Sequence, residues 1–463
     1  MSPRIDPDVG CIIPEPGQWP VDPQDDQPVE DSNIWADGCF DFFHHGHAGL
    51  LLQSRRLGHT LTIGVHSDAD ITANKGPTVM NLAERVAAAN ACRFGTKCVP
   101  NAPYVTSLPW ISHYGCRFVA HGDDITSDAG GGDCYRFVKQ AGRMKIVRRT
   151  EGISTTDLVG RMLGCTREHF VASLTEVLAG REKMASGEGQ ESVERKLREY
   201  AMGPDAMDGY VSVYSHSGLT TSAATDGRHG TFAPLVEGHS PRPGQRIVYT
   251  SGAFDLFSSG QIAFLRQITD LESDLGKQRS WYSDSARQKR LDTSGEDYPP
   301  AYVIVGIQND EVVNERKGLN YPIMNIFERG LCVTQCRYVH SVIFGAPAAP
   351  SKELLSSLPQ LPEDKQCPDV VYHGPTSTSY SSAPASLQVL YADARALGIY
   401  VETAEHEFQD VNSAQIVKRI LDKRVEYEER QRKKGVKSVG EGALRRKEME
   451  EELENRQANC VAG

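Results

Sequence analysis

The chain has 463 residues, of which 61 are acidic and 50 basic, for a formal net charge of −11. At roughly 100–200 residues per domain this length predicts two or three domains, and 39% hydrophobic residues exclude a wholly disordered protein. The acidic balance argues against a nucleic-acid-binding protein, which needs a basic surface, and no apolar run reaches the roughly 18 residues of a membrane span.

The amino-terminal segment, 1–30, predicts a disordered acidic arm, because its prolines interrupt regular structure and its aspartates repel one another. The eleven cysteines are scattered along the whole chain and form no C-x-x-C pair. An odd number of single cysteines is typical of a reducing compartment and argues against disulfides or a structural zinc site.

From residue 31 to about 180, short apolar runs alternate with helical patterns. We predict strands at 33–37, 61–65 and 117–121, and helices at 48–57 and 83–94. Strands that alternate with helices predict an α/β domain with a Rossmann-like parallel sheet that is flanked by helices. Ligands of such sheets bind beyond the carboxyl ends of the strands.

An H-x-G-H motif follows the first predicted strand, where the chain turns into a helix. Its histidines are His44 and His47, and Gly46 would allow a ligand to approach the backbone. Free amides at a helix N-terminus favour phosphate, and two imidazoles can donate to phosphoryl oxygens. Two surface histidines without a function are the alternative. A metal site is not predicted, because no third ligand lies at a usual spacing.

The remainder of the chain divides into three parts. Residues 181–244 are rich in Gly, Ser, Thr and His and predict a linker with a helix embedded at 191–200. A second structured stretch covers 245–425 and carries a polar insertion at about 272–300, predicted as a surface loop. Residues 426–463 are dominated by Glu, Arg, Lys and Gln and predict a charged helix or tail without an apolar face for membranes.

The two structured stretches are copies of one domain. Residues 37–47 match 251–261, and residues 79–85 match 323–329, in the same order. Ordered matches of this kind are not expected by chance, so the sequence predicts a tandem duplication. In the second copy Ser258 and Gln261 replace the two histidines of the motif.

Five motifs occur in order along the first copy. They are G-C-F-D at 38–41, H-x-G-H at 44–47, K-G at 75–76, H-G-D-D at 121–124 and R-T-E-G-I-S-T-T at 149–156. This set resembles the cytidylyltransferases of the H-x-G-H nucleotidyltransferase superfamily. Together with the duplication, it resembles the ethanolamine-phosphate cytidylyltransferases over about 31–165 and 245–430.

The resemblance implies two tandem Rossmann-like nucleotidyltransferase domains, of which the first, 31–180, transfers CMP from CTP to phosphoethanolamine. The products would be CDP-ethanolamine and pyrophosphate, in phosphatidylethanolamine synthesis, with Mg²⁺ accompanying CTP and no protein motif for the metal. The implied catalytic residues are His44, His47, Lys75 and Arg149. The implied CTP- or substrate-binding residues are Gly38, Cys39, Phe40, Asp41, Gly46, His121, Gly122, Asp123, Asp124, Thr150, Gly152, Ser154, Thr155 and Thr156.

Within that set, Asp123 or Asp124 would be the charge partner of the substrate ammonium. The second domain, 245–425, would be degenerate and non-catalytic, with a structural or regulatory role, because it lacks both histidines. The alternatives are a cytidylyltransferase for another phospho-alcohol, such as phosphocholine, and a nucleotide-binding regulator without turnover. We expect a cytoplasmic protein, and leave open a homodimer and peripheral contact with the endoplasmic reticulum.

Overall fold

The structure is a computed structural model that describes residues 5, 25–216, 232–374 and 389–435. Most of the predicted acidic arm therefore lies outside the described residues. Where it is described, at residues 25–30, the prediction of disorder is wrong. The backbone N–H of Gln27 donates to the carbonyl of His113 at 3.1 Å, and the Asp26 carboxylate bonds to the His113 ring, which ties this segment to the first domain.

The first domain is built on five parallel strands in the order β3-β2-β1-β4-β5. The central strands are buried on both faces, as their apolar runs require. The strands are β1 (Glu30–Gly38), β2 (Thr60–His66), β3 (Lys97–Ala102), β4 (Cys116–Gly122) and β5 (Met144–Val147). The helices are α1 (His45–Arg55), α2 (Asp68–Lys75), α3 (Leu82–Asn90), α4 (Leu108–His113), α5 (Arg136–Gln140), α6 (Thr155–Gly164), α7 (Leu174–Leu178) and α8 (Gln190–Tyr200).

The second domain repeats this strand order, which confirms the duplicated α/β fold. Its sheet has the order β12-β11-β8-β9-β10-β6-β7. Within it, the five strands β10-β9-β8-β11-β12 correspond in order to β3-β2-β1-β4-β5 of the first sheet. The strands are β6 (Ser212–His216), β7 (Phe232–Val236), β8 (Arg246–Gly252), β9 (Ala301–Gln308), β10 (Ser341–Ala346), β11 (Val370–His373) and β12 (Tyr400–Glu402). The sheet is parallel except for β7, which pairs antiparallel with β6, so the second sheet is mixed.

The prediction of a linker at 181–244 is wrong for its described part. Helix α8 confirms the predicted embedded helix, but β6 and β7 extend the second sheet. β6 pairs with β10 from Ser212↔Ser341 to Ser215↔Phe344 and covers what would otherwise be an open strand edge. Because β6 and β7 are only five residues long, neither forms a long apolar run, and this part of the sequence resembles a loop.

The insertion at 272–300 is helical, which corrects the predicted loop. The helices of the second domain are α9 (Ser259–Gln278), α10 (Asp284–Ser294), α11 (Asp310–Lys317), α12 (Ile326–Thr334), α13 (Lys352–Ser356), α14 (Ala392–Ala396), α15 (Ser413–Asp422) and α16 (424–435). The insertion lengthens α9 and adds α10, whose first turn is capped by the side chain of Ser283. The predicted tail is helical up to residue 435, and the rest of it lies outside the described residues.

The two domains pack against each other through pairs of equivalent contacts. Arg161 of α6 donates to both carboxylate oxygens of Glu328 on α12, at 2.7 and 2.8 Å. Arg419 of α15 makes the same bidentate contact with Glu84 on α3, also at 2.7 and 2.8 Å. Each glutamate is the third residue of its helix and closes a capping box there. Each domain therefore contributes one arginine and one glutamate, and each arginine binds the glutamate of the other domain.

The centre of this interface is symmetric as well. The backbone N–H of Arg93 donates to the carbonyl of Gln335, and that of Arg337 donates to the carbonyl of Ala91. Between these bonds, the backbones at Cys92 and Cys336 pair as an isolated antiparallel β-bridge, and both thiols are free. The domains are thus related by an approximate two-fold rotation within one chain, and their apolar residues share one core.

No helix in the described ranges combines the length and the hydropathy that crossing a membrane would require.

Candidate functional site

The candidate site lies at the carboxyl ends of the central strands of the first sheet, where the strand order reverses. β1 lies between β2 and β4, and the three strands are parallel. The connections leave their carboxyl ends in opposite directions and open a crevice, which is the usual ligand position in such sheets. Segments 44–47 and 149–156 follow β1 and β5, and segment 121–124 spans the end of β4, so three of the predicted motifs meet there.

His44 and His47 together cap the start of α1. His44 is the N-cap residue, and its Nδ1 accepts the backbone N–H of Gly46 at 3.1 Å. The Nδ1 of His47 accepts the backbone N–H of His44 at 3.3 Å in return. The two rings stack with their centroids 3.9 Å apart. This reciprocal capping box holds both imidazoles in one fixed orientation.

The hydrogen bonds of the two histidines determine where their protons lie. Because each Nδ1 accepts a hydrogen bond, the proton of a neutral ring is on Nε2. Burial first, and then the charges of neighbouring groups, lower the pKa of His44 well below its usual value and that of His47 to about 3. Both rings are therefore neutral near pH 7, and each presents an Nε2–H donor.

Glycine is required at two positions near this pair. A Cβ at Gly46 would lie 2.8 Å from atoms of the His44 ring, so a side chain there would displace the imidazole. Gly152 has a φ angle of +94°, which the turn before α6 needs and which other residues rarely adopt.

The start of α6 adjoins the start of α1. Ser154 is the N-cap of α6, and its hydroxyl accepts the backbone N–H of Asp157 at 3.0 Å. The Thr155 hydroxyl donates to the carbonyl of Asp41, just before α1, at 3.3 Å. Thr156 follows in the first turn and is half-buried. Two helix N-termini with free amides are therefore neighbours, an arrangement that suits a ligand with several phosphates.

Arg149 lies against the acidic pair of the H-G-D-D segment. Its backbone N–H donates to Asp123 Oδ1 at 3.1 Å, and its guanidinium lies 3.5 Å from Asp124 Oδ2. The structure thus brings these two motifs together, but it pairs the carboxylates with arginine. Lys75, the last residue of α2, is exposed, and its charge is the largest charge effect on the pKa of His47.

Four of the residues predicted to bind substrate make contacts within the fold. Asp41, only 1% exposed, accepts the backbone N–H groups of Val79 and Met80 at 3.0 and 2.9 Å. Phe40 is buried, and the carbonyl of Cys39 accepts a hydrogen bond from Arg85 at 2.6 Å. Gly38 ends β1 with the Phe40 ring against its Cα. These contacts tie the G-C-F-D segment to the loop between α2 and α3, which directly follows Lys75.

Three other predicted residues lie beside the crevice. Thr150 packs against α1 at Gly49, where a Cβ would lie 2.1 Å from the Thr150 hydroxyl. His121 contacts the carbonyl of Gly122 through Nδ1 at 3.1 Å. Its ring lies 4.5 Å from the ring of Tyr135.

A buried carboxylate next to the crevice was missed in the sequence. Asp37, 2% exposed at the end of β1, accepts hydrogen bonds from Trp35 Nε1 at 2.8 Å, the Thr106 hydroxyl at 2.7 Å and the Tyr135 hydroxyl at 2.6 Å. All three donors are neutral, and no cation of the described ranges forms an ion pair with it. A buried carboxylate without a cation is costly, which makes Asp37 a candidate partner for a cationic group.

Two of the three side chains that donate to this carboxylate, Trp35 and Tyr135, are aromatic. The His66 and Tyr104 rings lie 5.2 Å apart, and the Nζ of Lys75 is 5.6 Å from the centroid of Tyr104. The duplication contained a signal for Asp37, since the matched position in the second copy is Ser251 and the acid is therefore not needed for the fold.

In the second domain, the equivalent helix start is an ordinary capping box. The hydroxyl of Ser258 accepts the backbone N–H of Gln261 at 3.5 Å, and the amide oxygen of Gln261 accepts that of Ser258 at 3.0 Å. The Ser258 hydroxyl itself donates to the carbonyl of Val411 at 2.6 Å. Serine and glutamine thus replace the histidines as helix caps but provide no Nε2–H donors. Lys317, which matches Lys75, bonds to the Ser413 hydroxyl.

Comparisons with known proteins agree with this geometry. The profile of the family described as "Cytidylyltransferase-like" matches residues 35–161. The chain is 36% identical over 406 residues to the ethanolamine-phosphate cytidylyltransferase of Dictyostelium discoideum, covering 88% of this chain and 95% of that protein. It is 35% identical over 409 residues to the ethanolamine-phosphate cytidylyltransferase of Mus musculus, which covers 88% of this chain and 90% of that protein.

A second similarity covers a much shorter part of the chain. Over 133 residues the chain is 43% identical to choline-phosphate cytidylyltransferase A of Rattus norvegicus, which covers 28% of this chain and 36% of that protein.

Proposed function

The chain belongs to the ethanolamine-phosphate cytidylyltransferases, and we propose from this premise that its first domain carries out all of the chemistry. The reaction joins the CMP part of CTP to phosphoethanolamine and releases pyrophosphate. The observation that carries the assignment to the first domain is the stacked pair of His44 and His47, whose Nε2–H donors lie beside the start of α6. The second domain has no such pair among its described residues at the equivalent helix.

The chemistry requires positioning and hydrogen-bond donors more than acid–base groups. A phosphate oxygen of phosphoethanolamine attacks the α-phosphorus of CTP, and the bond from that phosphorus to the bridging oxygen of the β-phosphate breaks. His44 and His47 donate from Nε2 to the phosphoryl oxygens on which negative charge increases. Since their rings are fixed as helix caps, they need no reorganisation during the reaction.

The start of α6 and its preceding arginine hold the rest of the triphosphate. The free amides after Ser154, with the Thr155 and Thr156 side chains, bind phosphate oxygens. Arg149, kept in place by Asp123 and Asp124, adds a positive charge. Mg²⁺ enters as the Mg²⁺–CTP substrate complex, bound by phosphate oxygens and water. Mg²⁺ is commonly bound in this way, through substrate phosphates and retained water.

Asp37 is the charge partner that we assign to the substrate ammonium. It is buried, its three donors are neutral, and two of them come from aromatic side chains, which also occur at many ammonium sites. The earlier candidates, Asp123 and Asp124, are already paired with Arg149. A primary ammonium can donate directly to a carboxylate, whereas a trimethylammonium cannot, so this site favours phosphoethanolamine over phosphocholine.

The Asp37→Asn variant tests this assignment. The amide is isosteric, and the Tyr135 hydroxyl can rotate to accept from it, so the fold should be kept. We expect KM for phosphoethanolamine to rise about 10–100-fold, the scale of one hydrogen bond to a charged group, while KM for CTP changes less than about threefold. Asp124→Asn is the matched comparison. If it raises KM for phosphoethanolamine more than Asp37→Asn does, the charge partner of the ammonium is the acidic pair Asp123 and Asp124, and the assignment to Asp37 is wrong.

Substrate preference tests the function itself. With purified protein and Mg²⁺, pyrophosphate release should be faster with CTP than with ATP, and faster with phosphoethanolamine than with phosphocholine. The similarity to the choline enzyme covers 28% of this chain, whereas that to the ethanolamine enzymes covers 88%. Faster turnover with phosphocholine would support the alternative substrate, and no turnover with either would support a binding protein. Cytoplasmic location, contact with the endoplasmic reticulum and a homodimer stay predictions from the sequence.

A further inference from the structure

Helix α16 follows the second domain in the chain but lies on the site of the first. Tyr427, 2% exposed, donates from its hydroxyl to the carbonyl of Thr78 at 2.9 Å. Arg430 donates to the carbonyl of Pro77 at 2.7 Å and lies 3.5 Å from Asp41 Oδ2. These contacts are made to the loop that directly follows Lys75, so α16 fixes the position of that loop.

The last turn of α16 reaches the start of α6. Gln431 donates from Nε2 to the carbonyl of Thr156 at 3.0 Å, and the Nζ of Lys434 donates to the Thr156 hydroxyl at 2.5 Å. Thr156 belongs to the segment that we assign to triphosphate binding. A lysine from the far end of the chain therefore lies at the same helix start as the substrate phosphates.

The charges at this place are positive and only partly balanced. Arg149 is neutralised in part by Asp124, but neither Lys75 nor Lys434 has an ion-pair partner within the described parts of the chain. Desolvation, followed by repulsion from Lys75, Arg430 and Arg149, lowers the pKa of Lys434 to about 8. Cations that are held together against their repulsion are stabilised when a polyanion binds between them.

We propose that α16 completes the triphosphate site of the first domain, with Lys434 binding a phosphoryl oxygen of CTP or of pyrophosphate and Arg430 positioning the Lys75 loop. The proposal rests on the proposed function and adds residues to the same site. A segment that inhibits by occupying a phosphate site would be expected to present carboxylates to it. The residues of α16 that touch the site are a tyrosine, an arginine, a glutamine and a lysine.

The placement of α16 also gives the second domain a task in the reaction. The helix starts directly after α15, and α15 is held on the first domain by the bidentate contact of Arg419 with Glu84. The second domain, which lacks the two histidines, thus positions a phosphate-binding lysine at the site of the first domain. This role does not depend on any ligand in the second domain.

The test uses the full-length Lys434→Ala variant, with Lys433→Ala as the matched control. Lys433 is adjacent, is 72% exposed in its side chain and pairs with Glu429. In Lys434→Ala we expect KM for CTP to rise about tenfold, the scale of one charge-assisted hydrogen bond, and KM for phosphoethanolamine to change less than about twofold. Lys434→Arg should restore most of the affinity for CTP, and Lys433→Ala should behave as the unchanged protein.

An unchanged KM for CTP in Lys434→Ala would overturn the proposal. A lower KM for CTP or a higher kcat would also overturn it, because α16 would then be a segment that blocks the site. Calorimetric titration with inorganic pyrophosphate gives a readout that is independent of turnover. If the unchanged protein fails to turn over CTP and phosphoethanolamine, the proposed function fails. A tenfold weaker binding of pyrophosphate by Lys434→Ala would still support the role of Lys434, and equal binding would refute it.

Discussion

Replacing His44 with alanine is expected to lower kcat by about 10²–10³-fold, the usual effect of losing one donor to a developing oxyanion. The variant loses an Nε2–H donor whose orientation is fixed by the Gly46 amide and by stacking on His47. It also loses the helix cap, which costs about 1 kcal/mol of stability. Steady-state kinetics with saturating CTP and phosphoethanolamine, together with a thermal unfolding curve, separate the two effects.

Ser258→Ala is the matched control, because Ser258 caps the equivalent helix of the second domain. It should cost a similar amount of stability and leave kcat within about twofold. If His44→Ala keeps a nearly normal kcat, or if both variants lose activity equally, the histidine pair acts only as a helix cap.

A combined variant extends this experiment to the second domain. Introducing Ser258→His and Gln261→His into the His44→Ala enzyme should not restore activity. The helix that corresponds to α6 is α15, which starts at the simple N-cap Asn412 and lacks an R-T-E-G-I-S-T-T segment before it. Substantial turnover would mean that the second site is close to functional.

Arg161→Ala is expected to lower the free energy of unfolding by about 3–5 kcal/mol, the cost of removing one partner from a buried ion pair. The side chains of Arg161 and Glu328 are 11% and 6% exposed, and the arginine also donates to Asp157 and to the carbonyl of Ile323. Its loss leaves the Glu328 carboxylate buried between two domains without a cation. Denaturant unfolding followed by fluorescence measures the change.

Arg419→Ala provides the comparison within the same molecule. It breaks the equivalent contact with Glu84, but Arg419 is 36% exposed, so water can replace part of the interaction and the loss should be smaller. A further variant, Arg161→Met with Glu328→Gln, should recover part of the stability, because no charge then remains buried. Equal losses for Arg161→Ala and Arg419→Ala would show that burial does not decide the strength of these pairs.

The fold could be predicted from the sequence because it depends on periodic patterns. The apolar runs of β1 and β2 and the N-cap patterns before α1 and α3 are local, and the duplication supplied each of them twice. The strands β6 and β7 could not be predicted, since β6 pairs with β10, a neighbour more than 100 residues away, and β7 in turn pairs with β6. The charged insertion has no apolar stripe, so α10 was missed although Ser283 is a good cap.

The candidate site could be predicted in part, for a similar reason. Residues that act through local geometry, such as His44, His47 and Ser154, lie in recognisable helix-start patterns. Asp41 was assigned to the substrate because it belongs to the same motif, yet its partners are the distant amides of Val79 and Met80. Lys434 lies in a segment whose composition is that of a solvated helix, and only the packing of α16 on the first domain places it at a phosphate site.

The symmetric interface between the domains implies an origin in a dimer of identical subunits. One ancestral domain with an arginine and a glutamate in the positions of Arg161 and Glu84 could pair with a second copy by contacts made twice, as isologous dimers do. Fusion of the two copies makes this pairing independent of protein concentration. Once a partner is always attached, selection can relax on the histidines of one copy while it still acts on the residues that hold the pair together. The face used by an ancestral dimer is now occupied inside one chain, so any association of two such chains must use a different surface.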